Sequence, residues 1–404
     1  MIASRTLPNP RTTHVAPMPL GSPLGLYLHV PFCAHICPYC DFNTYAGQDA
    51  LIPRYVDALC HEIRLRGERL AQAKAGTVFF GGGTPSLLSP EAIGAVLAAC
   101  RSSFGLASDA EITLEANPNG LSAGYLERLL QVGVNRLSIG AQTLDRRGLR
   151  SLGRLHEASD VTHALAAARS AGFTNLSLDL IFGWPRQTLA AWRHDLTEVL
   201  AGGENGIVPD HLSLYSLIVE PGTPMFEAVS RGILSVPDDD AAAEMYELAI
   251  EVLARAGWTH YEVANWARRP ECASQHNLFY WRNGEYLGAG AGAHGQIQGE
   301  RWMNHLFPAT YCEALERKQL PVSNVERLPD VTTMAETMML GLRLLQEGVD
   351  ADAFRVRHGV DLSSHYGPVI DELVVLGLLR WSERRLTLTP RGLMLANDVC
   401  ARFV

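Results

Sequence analysis

Three cysteines fall within eight residues in the segment Phe32-Cys33-Ala34-His35-Ile36-Cys37-Pro38-Tyr39-Cys40-Asp41-Phe42. Thiolates are the natural ligands of iron–sulfur clusters. A C-x3-C-x2-C spacing on one loop lets Cys33, Cys37 and Cys40 grip three corners of a [4Fe–4S] cubane and leaves the fourth iron open to a small chelate. Zinc is the rival metal, but a structural zinc site normally wants four ligands. The loop offers three Cys plus His29 or His35, at a spacing tighter than typical zinc pairs. Buried structural thiols are the other alternative. The remaining cysteines, Cys60, Cys100, Cys272, Cys312 and Cys400, are scattered. Cys60 and Cys100 lie in helical patterns as small buried apolar groups.

Other residues stand where chemistry is expected. Phe80-Gly81-Gly82-Gly83-Thr84-Pro85-Ser86 follows an apolar strand. Glycines there let backbone approach a ligand closely and Thr84 adds a hydroxyl, although a Gly triplet alone is more often a tight turn. Glu115 ends the strand in Thr-Leu-Glu-Ala-Asn-Pro, where a carboxylate also serves simply to cap a turn. Asp179 sits inside the apolar run Leu-Ser-Leu-Asp-Leu-Ile, so it needs a partner, either a core cation or a ligand hydroxyl pair. His276 opens His-Asn-Leu-Phe-Tyr-Trp. A neutral imidazole is an able metal ligand, and the neighbouring aromatics offer flat faces on which a ring can stack. Its bland reading is a hydrogen-bonded structural residue. His294, in a small-residue stretch, is an alternative ligand.

These residues need a scaffold, and the apolar pattern supplies one. From Gly25 to about Leu217 short strands alternate with amphipathic helices: Leu26–Val30, Thr77–Phe80, Glu111–Glu115, Arg136–Ile139, Asn175–Phe182 and His211–Leu217. Six strands alternating with helices predict a parallel sheet of βαβ units. The length falls short of a full eight-unit barrel. The expected fold class is therefore α/β, a partial (β/α)6 TIM-type barrel with a C-terminal, mainly helical, winged-helix-like domain. A flat doubly wound sheet is the runner-up. The expected organisation is a disordered tail over 1–24, a core barrel over 25–225, an accessory region over 226–325 and the C-terminal domain over 326–404. A helical lid packed on the barrel is the bland reading of that last domain.

Composition narrows the class of function. The chain has 404 residues, 47% of them apolar, and a formal net charge of −9, which disfavours non-specific nucleic-acid binding. No apolar run approaches the roughly 20 residues of a membrane-spanning helix. The Pro- and Thr-rich start lacks the apolar segment of a secretory signal, so a cytoplasmic location is expected.

The C-x3-C-x2-C loop after a first strand resembles the hallmark of the radical S-adenosylmethionine (SAM) superfamily. The wider string Leu-Tyr-Leu-His-Val-Pro-Phe-Cys resembles its HemN/HemW branch, which holds the oxygen-independent coproporphyrinogen III oxidases and the heme chaperones. The resemblance covers nearly the whole chain from Gly25 onward. It implies a [4Fe–4S] cluster and SAM, with Gly82, Gly83, Thr84, Glu115, Gln142, Arg154 and Asp179 lining the SAM site and Tyr27 and Tyr39 beside the sulfonium or adenine. Two features separate the candidates within the branch. The oxidases resembling this chain carry a further Cys where Phe42 stands, whereas the chaperones read Cys-Asp-Phe there. The oxidases also have a longer N-terminal segment. In the chaperones an H-N-x-x-Y-W motif is associated with heme, which implies His276 as a heme contact. The implied function is heme binding and transfer to an acceptor protein, with a homodimer as an expected assembly and membrane contact only through the acceptor. Radical decarboxylation of coproporphyrinogen III is the alternative activity.

Overall fold

Strands buried on both faces read as nearly continuous apolar runs, and the first strand, β1 (Leu24–Val30), is one of these. Four more strands follow: β2 (Ala75–Gly82), β3 (Leu106–Ala116, buried from Ala110 onward except for half-buried Glu115), β4 (Arg136–Gln142) and β5 (Leu176–Phe182). Strand β6 (His211–Ser216) closes the series. In this computed structural model, which describes residues 23–70 and 73–404, β1 to β6 pair in parallel in sequence order. The expected tail over 1–24 lies, but for its last two residues, outside the described residues.

The crossovers carry α1 (Ile52–Arg69), α2 (Pro90–Phe104), α3 (Ala123–Val132), α4 (Ala158–Ala171) and α5 (Leu189–Ala201). Side-chain caps set three of these starts: Ser89 accepts from Ala92 N, Ser122 from Tyr125 N and Thr188 from Ala191 N, satisfying amides that the helix itself cannot. Helix α6 (Asp239–Arg255) packs beside α5. Cys60 and Cys100 are buried in α1 and α2 as expected.

The sheet does not close. Strands β7 (Thr259–Glu262) and β8 (Asn265–Ala267) add antiparallel to the free side of β6. On the other side, β9 (Tyr286–Ala289) pairs in parallel with β1. Antiparallel strands β10 (His294–Ile297), β11 (Glu300–Asn304) and β12 (Val322–Arg327) complete that edge. The parallel series thus has a strand beyond the six expected. Strand β9 is four residues of Tyr-Leu-Gly-Ala, too short and Gly-rich to show a strand period. Its Gly288 is obligatory, because a Cβ there would collide with the carbonyl of His294.

The chain ends in helices Asp330–Gly341, Ala351–His358 and Leu362–Val375 with a small three-stranded sheet, Val349–Asp350, Leu379–Ser382 and Arg385–Leu388. This winged-helix-like unit has its own apolar cluster around Phe354, Tyr366 and Leu386. Two short helices, Pro390–Met394 and Ala396–Ala401, end the unit. Among the described residues no helix is long and apolar enough to cross a membrane.

Candidate functional site

The cysteine loop leaves the C-terminal end of β1, the end at which barrel folds place their chemistry. It is stitched to the segment after β2 by Gly83 N donating to Val30 O and Thr84 N donating to Phe32 O, both 2.8 Å. Gly83 is held to glycine by this approach: a Cβ would stand 2.6 Å from Phe32 O and 3.0 Å from Cys33 Sγ. All three thiols are unbridged and half-buried. Burial raises the pKa of Cys33 and Cys40, and the Thr84 hydroxyl, donating to Cys33 Sγ at 3.6 Å, draws Cys33 back down. Arg154 Nη1 donates to Cys37 Sγ at 3.6 Å. The Thr84 hydroxyl thus offsets part of the effect of burial at Cys33; the thiolate is the form that ligates metal. Among the described residues no three His, Cys, Asp or Glu side chains converge on one ion-sized position. A cubane, which takes each thiolate on a separate iron, does not ask for such convergence.

Two cavities flank this loop. The smaller, about 290 Å³, is lined by Cys37, Thr84, Asn117 and Arg154. Arg154 is oriented by Asn117 Oδ1 at 2.5 Å and Gly140 O at 2.9 Å, and its Nε is buried without a partner. Gln142 ends β4 with φ of +66°, a left-handed conformation rare for a residue with a side chain. Such local strain persists only where the surroundings enforce it.

The larger cavity, about 490 Å³, runs inward from Phe42 and His294 and is lined by Tyr27, Gly82, Glu115, Ser138, Asp179 and His276 among others. Glu115 Oε2 accepts from Gly82 N at 3.2 Å. Burial, and then the charge of Asp179, pushes the Glu115 carboxyl up to about 8. Asp179 accepts from the hydroxyls of Ser138 (3.0 Å) and Ser177 (3.3 Å), while burial raises its pKa too. Two carboxyl groups in one poorly solvated wall favour a cationic ligand or one that donates hydrogen bonds. Tyr27 OH is 3.0 Å from His29 Nδ1.

Tyr39 lies outside both cavities. It packs against the satellite apolar cluster of Leu152, Ile181, Trp184 and Met225, the ordinary fate of an aromatic side chain beside a strand.

His276 sits on α7 (Gln275–Trp281) at the inner end of the larger cavity and is only 2% exposed. Its Nδ1 is 2.8 Å from Thr77 Oγ1, while its Nε2 has no hydrogen-bond partner. Phe79 stacks on the ring at 5.1 Å and Tyr280 meets it edge-on at 4.9 Å. Burial, and then the nearby Arg136, lowers the imidazole pKa to about 3, so it is neutral. The other face of α7 meets the C-terminal unit, where Arg343 lies 4.3 Å over the Trp281 ring.

Sequence reasoning missed Arg136 and Glu111. Arg136 is 2% exposed, lines the larger cavity and stands 3.9 Å from Glu111. The signal was present: both are charged residues in otherwise apolar strands, the anomaly that singled out Asp179.

Comparison with known proteins agrees with this geometry. Residues 27–199 match the family model of the radical SAM superfamily, and residues 328–395 match that of the HemN C-terminal domain. The chain is 38% identical to heme chaperone HemW of Bacillus subtilis, over 94% of this chain and 98% of that one. It is 41% identical to heme chaperone HemW of Mycobacterium tuberculosis, over 95% of each. The chain belongs to the HemW family of radical SAM proteins. Membership implies a [4Fe–4S] cluster and SAM, and the loop fits both, with its three thiols, the Gly83 cradle against Cys33 and the paired carboxyl groups. The mouse radical S-adenosyl methionine domain-containing protein 1, mitochondrial, is 39% identical over 93% of this chain and 86% of its own. The solved coproporphyrinogen III oxidase HemN of Escherichia coli superposes with a TM-score of 0.81 over 96% of this chain and 92% of that one. At 23% identity that likeness speaks for the fold alone.

Proposed function

We propose that this HemW-family chain binds heme and hands it to an acceptor protein, with the cluster and SAM in a supporting role. The observation that carries the reading is His276, a buried neutral imidazole that lines an aromatic-walled cavity and whose covered Nε2 has no hydrogen-bond partner. In the tautomer that donates Nδ1–H to Thr77 Oγ1, the Nε2 lone pair would serve iron once the side chains covering it part, and the hydrogen bond on the far nitrogen would fix the ring, as ligating histidines require. An unpaired buried acceptor is otherwise a cost with no return.

Cys33, Cys37 and Cys40 would hold the cluster. Tyr27, Gly82, Gly83, Thr84, Glu115, Gln142, Arg154 and Asp179 would hold SAM: Arg154 for a carboxylate, Glu115 and Asp179 for ribose hydroxyls and positive charge. Tyr39, whose hydroxyl meets Cys37, would support the cluster loop from the side of the apolar cluster. The group itself, when bound and reduced, supplies one-electron chemistry at the sulfonium. Phe42, 67% exposed at the cavity mouth, stands where a further thiol would mark the oxidases.

The test is heme titration of the anaerobically reconstituted protein, wild type against His276→Ala. The variant is expected to bind at least about tenfold more weakly, about 1.4 kcal/mol, with an altered Soret band. Unchanged affinity and spectrum remove His276 as ligand. On the same preparation, conversion of coproporphyrinogen III to protoporphyrinogen IX would replace the chaperone reading with the oxidase one.

A further inference from the structure

The three thiols of the loop meet different kinds of donor. Cys40 accepts from the backbone of Phe42, its near neighbour on the same loop. The donors at the other two come from far along the chain. The buried Thr84 hydroxyl donates to Cys33 Sγ at 3.6 Å, and Arg154 Nη1 donates to Cys37 Sγ at 3.6 Å. One residue joins these two donors. Asn117 Nδ2 donates to Thr84 Oγ1 at 3.3 Å, and Asn117 Oδ1 accepts from Arg154 Nη2 at 2.5 Å. Asn117 follows directly on β3 and precedes Pro118, which holds the residue before it extended. Its side chain lines the smaller cavity with the two residues it bridges.

The bonding runs in one direction. A guanidinium only donates, so Asn117 must turn its oxygen to Arg154 and its NH2 to Thr84. That NH2 takes a lone pair of the Thr84 oxygen and offers the hydroxyl proton no acceptor, so the proton is left to Cys33. Donation to the hydroxyl oxygen also polarises the O–H and strengthens its own bond. The flanks are fixed as well: Thr84 N donates to Phe32 O at 2.8 Å, and Arg154 Nη2 donates to Gly140 O at 2.9 Å. A carboxylate of the same size as Asn117 would keep Arg154 as its partner. It would present Thr84 with an acceptor instead of a donor, and the hydroxyl would turn away from Cys33.

Hydrogen bonds to the sulfurs of an iron–sulfur cluster favour its more negative, reduced form and so help to set its reduction potential. We propose that Asn117 is a positioning residue for the cluster, aiming the Thr84 hydroxyl at Cys33 and so raising the potential at which the cluster is reduced. The step is the addition of one electron from an external low-potential donor, with no bond broken. The proposal rests on the cluster that family membership implies, and not on heme at His276. Thr44 also donates to Cys33, so Thr84→Val weakens the donation without ending it.

The experiment is a mediated dithionite titration of the anaerobically reconstituted full-length protein without SAM. The reduced cluster is read by electron paramagnetic resonance, and iron per chain is measured for every variant. Thr84→Val is expected to lower the one-electron reduction equilibrium about tenfold, or about 59 mV. In the Asn117→Asp background the same change is expected to shift it by less than about twofold, because the hydroxyl has already turned away. Comparing Thr84→Val within each background cancels the charge that the carboxylate itself adds. A loss below about twofold from Thr84→Val alone, or above about twofold in the Asn117→Asp background, overturns the proposal. Failure of either single variant to load iron assigns these residues to cluster assembly and overturns it too. A wild-type chain that takes up no cluster overturns the cluster reading with it.

Discussion

Around Cys33, Cys37 and Cys40 the chain has little regular structure beyond a two-residue bridge of Phe32–Cys33 with Tyr45–Ala46, and its thiols are half-buried. Around His276 the reverse holds: a capped helix, a fully enclosed ring, aromatic contacts on two sides and carboxylate anchors under its first amides. The loop must fit a group larger than any side chain, and loops adapt at small cost. The helix presents one nitrogen to one position, and its orientation is fixed in advance by packing. A loop site is thus expected to be dispensable for folding, and a site built into the core is not.

The largest effect should fall on the loop. Cys37→Ser should abolish the iron–sulfur absorbance on reconstitution while changing apo-protein stability by less than about 1 kcal/mol, read by denaturant titration. A comparable loss of stability in Cys37→Ser and His276→Ala would erase the contrast. An intermediate effect belongs to the wall between them. Because the Glu115 carboxyl is pushed up to about 8, it holds its proton at neutrality. A cationic ligand at Glu115 must expel that proton, so SAM affinity should rise with pH by up to about tenfold per unit below about 8 and level off above it. Glu115→Gln should flatten the profile in calorimetric titrations. Stability runs the other way: the folded form pays for ionising Glu115, so this residue's contribution falls as pH rises from the unfolded carboxyl range to about 8. The smallest effect is at the mouth. Phe42→Cys should alter stability by no more than about 0.5 kcal/mol, because its side chain is mostly exposed. Coproporphyrinogen III should remain unconsumed in the anaerobic assay; its consumption would show that one residue decides between the branches.

Much of this was legible because it is local. Cys33, Cys37 and Cys40 are neighbours in sequence, so their spacing alone limits what they can grip. The six strands announce themselves by apolar runs, and Asp179 by being charged within one. Strand β9 was not legible, since four residues with a central glycine carry no period and are a strand only because β1 offers an unpaired edge. Tyr39 stands beside the cysteines in sequence, and its ring packs on an apolar cluster of distant residues while its hydroxyl stays within reach of Cys37, a placement that chain proximity alone does not give.

The sequence by itself determined the cysteine loop, the parallel α/β core and the carboxyl and imidazole groups available to it, since those depend on residue type and short spacing. Only the tertiary structure decided that Glu115 on β3, Asp179 on β5 and His276 on α7 face one cavity. It alone brought Arg136 to that cavity's wall and Glu111 onto the first amides of α7. The physical reason is register: which side chains meet across a sheet depends on how distant strands pair, and burial then sets the protonation of Glu115 and the neutrality of His276.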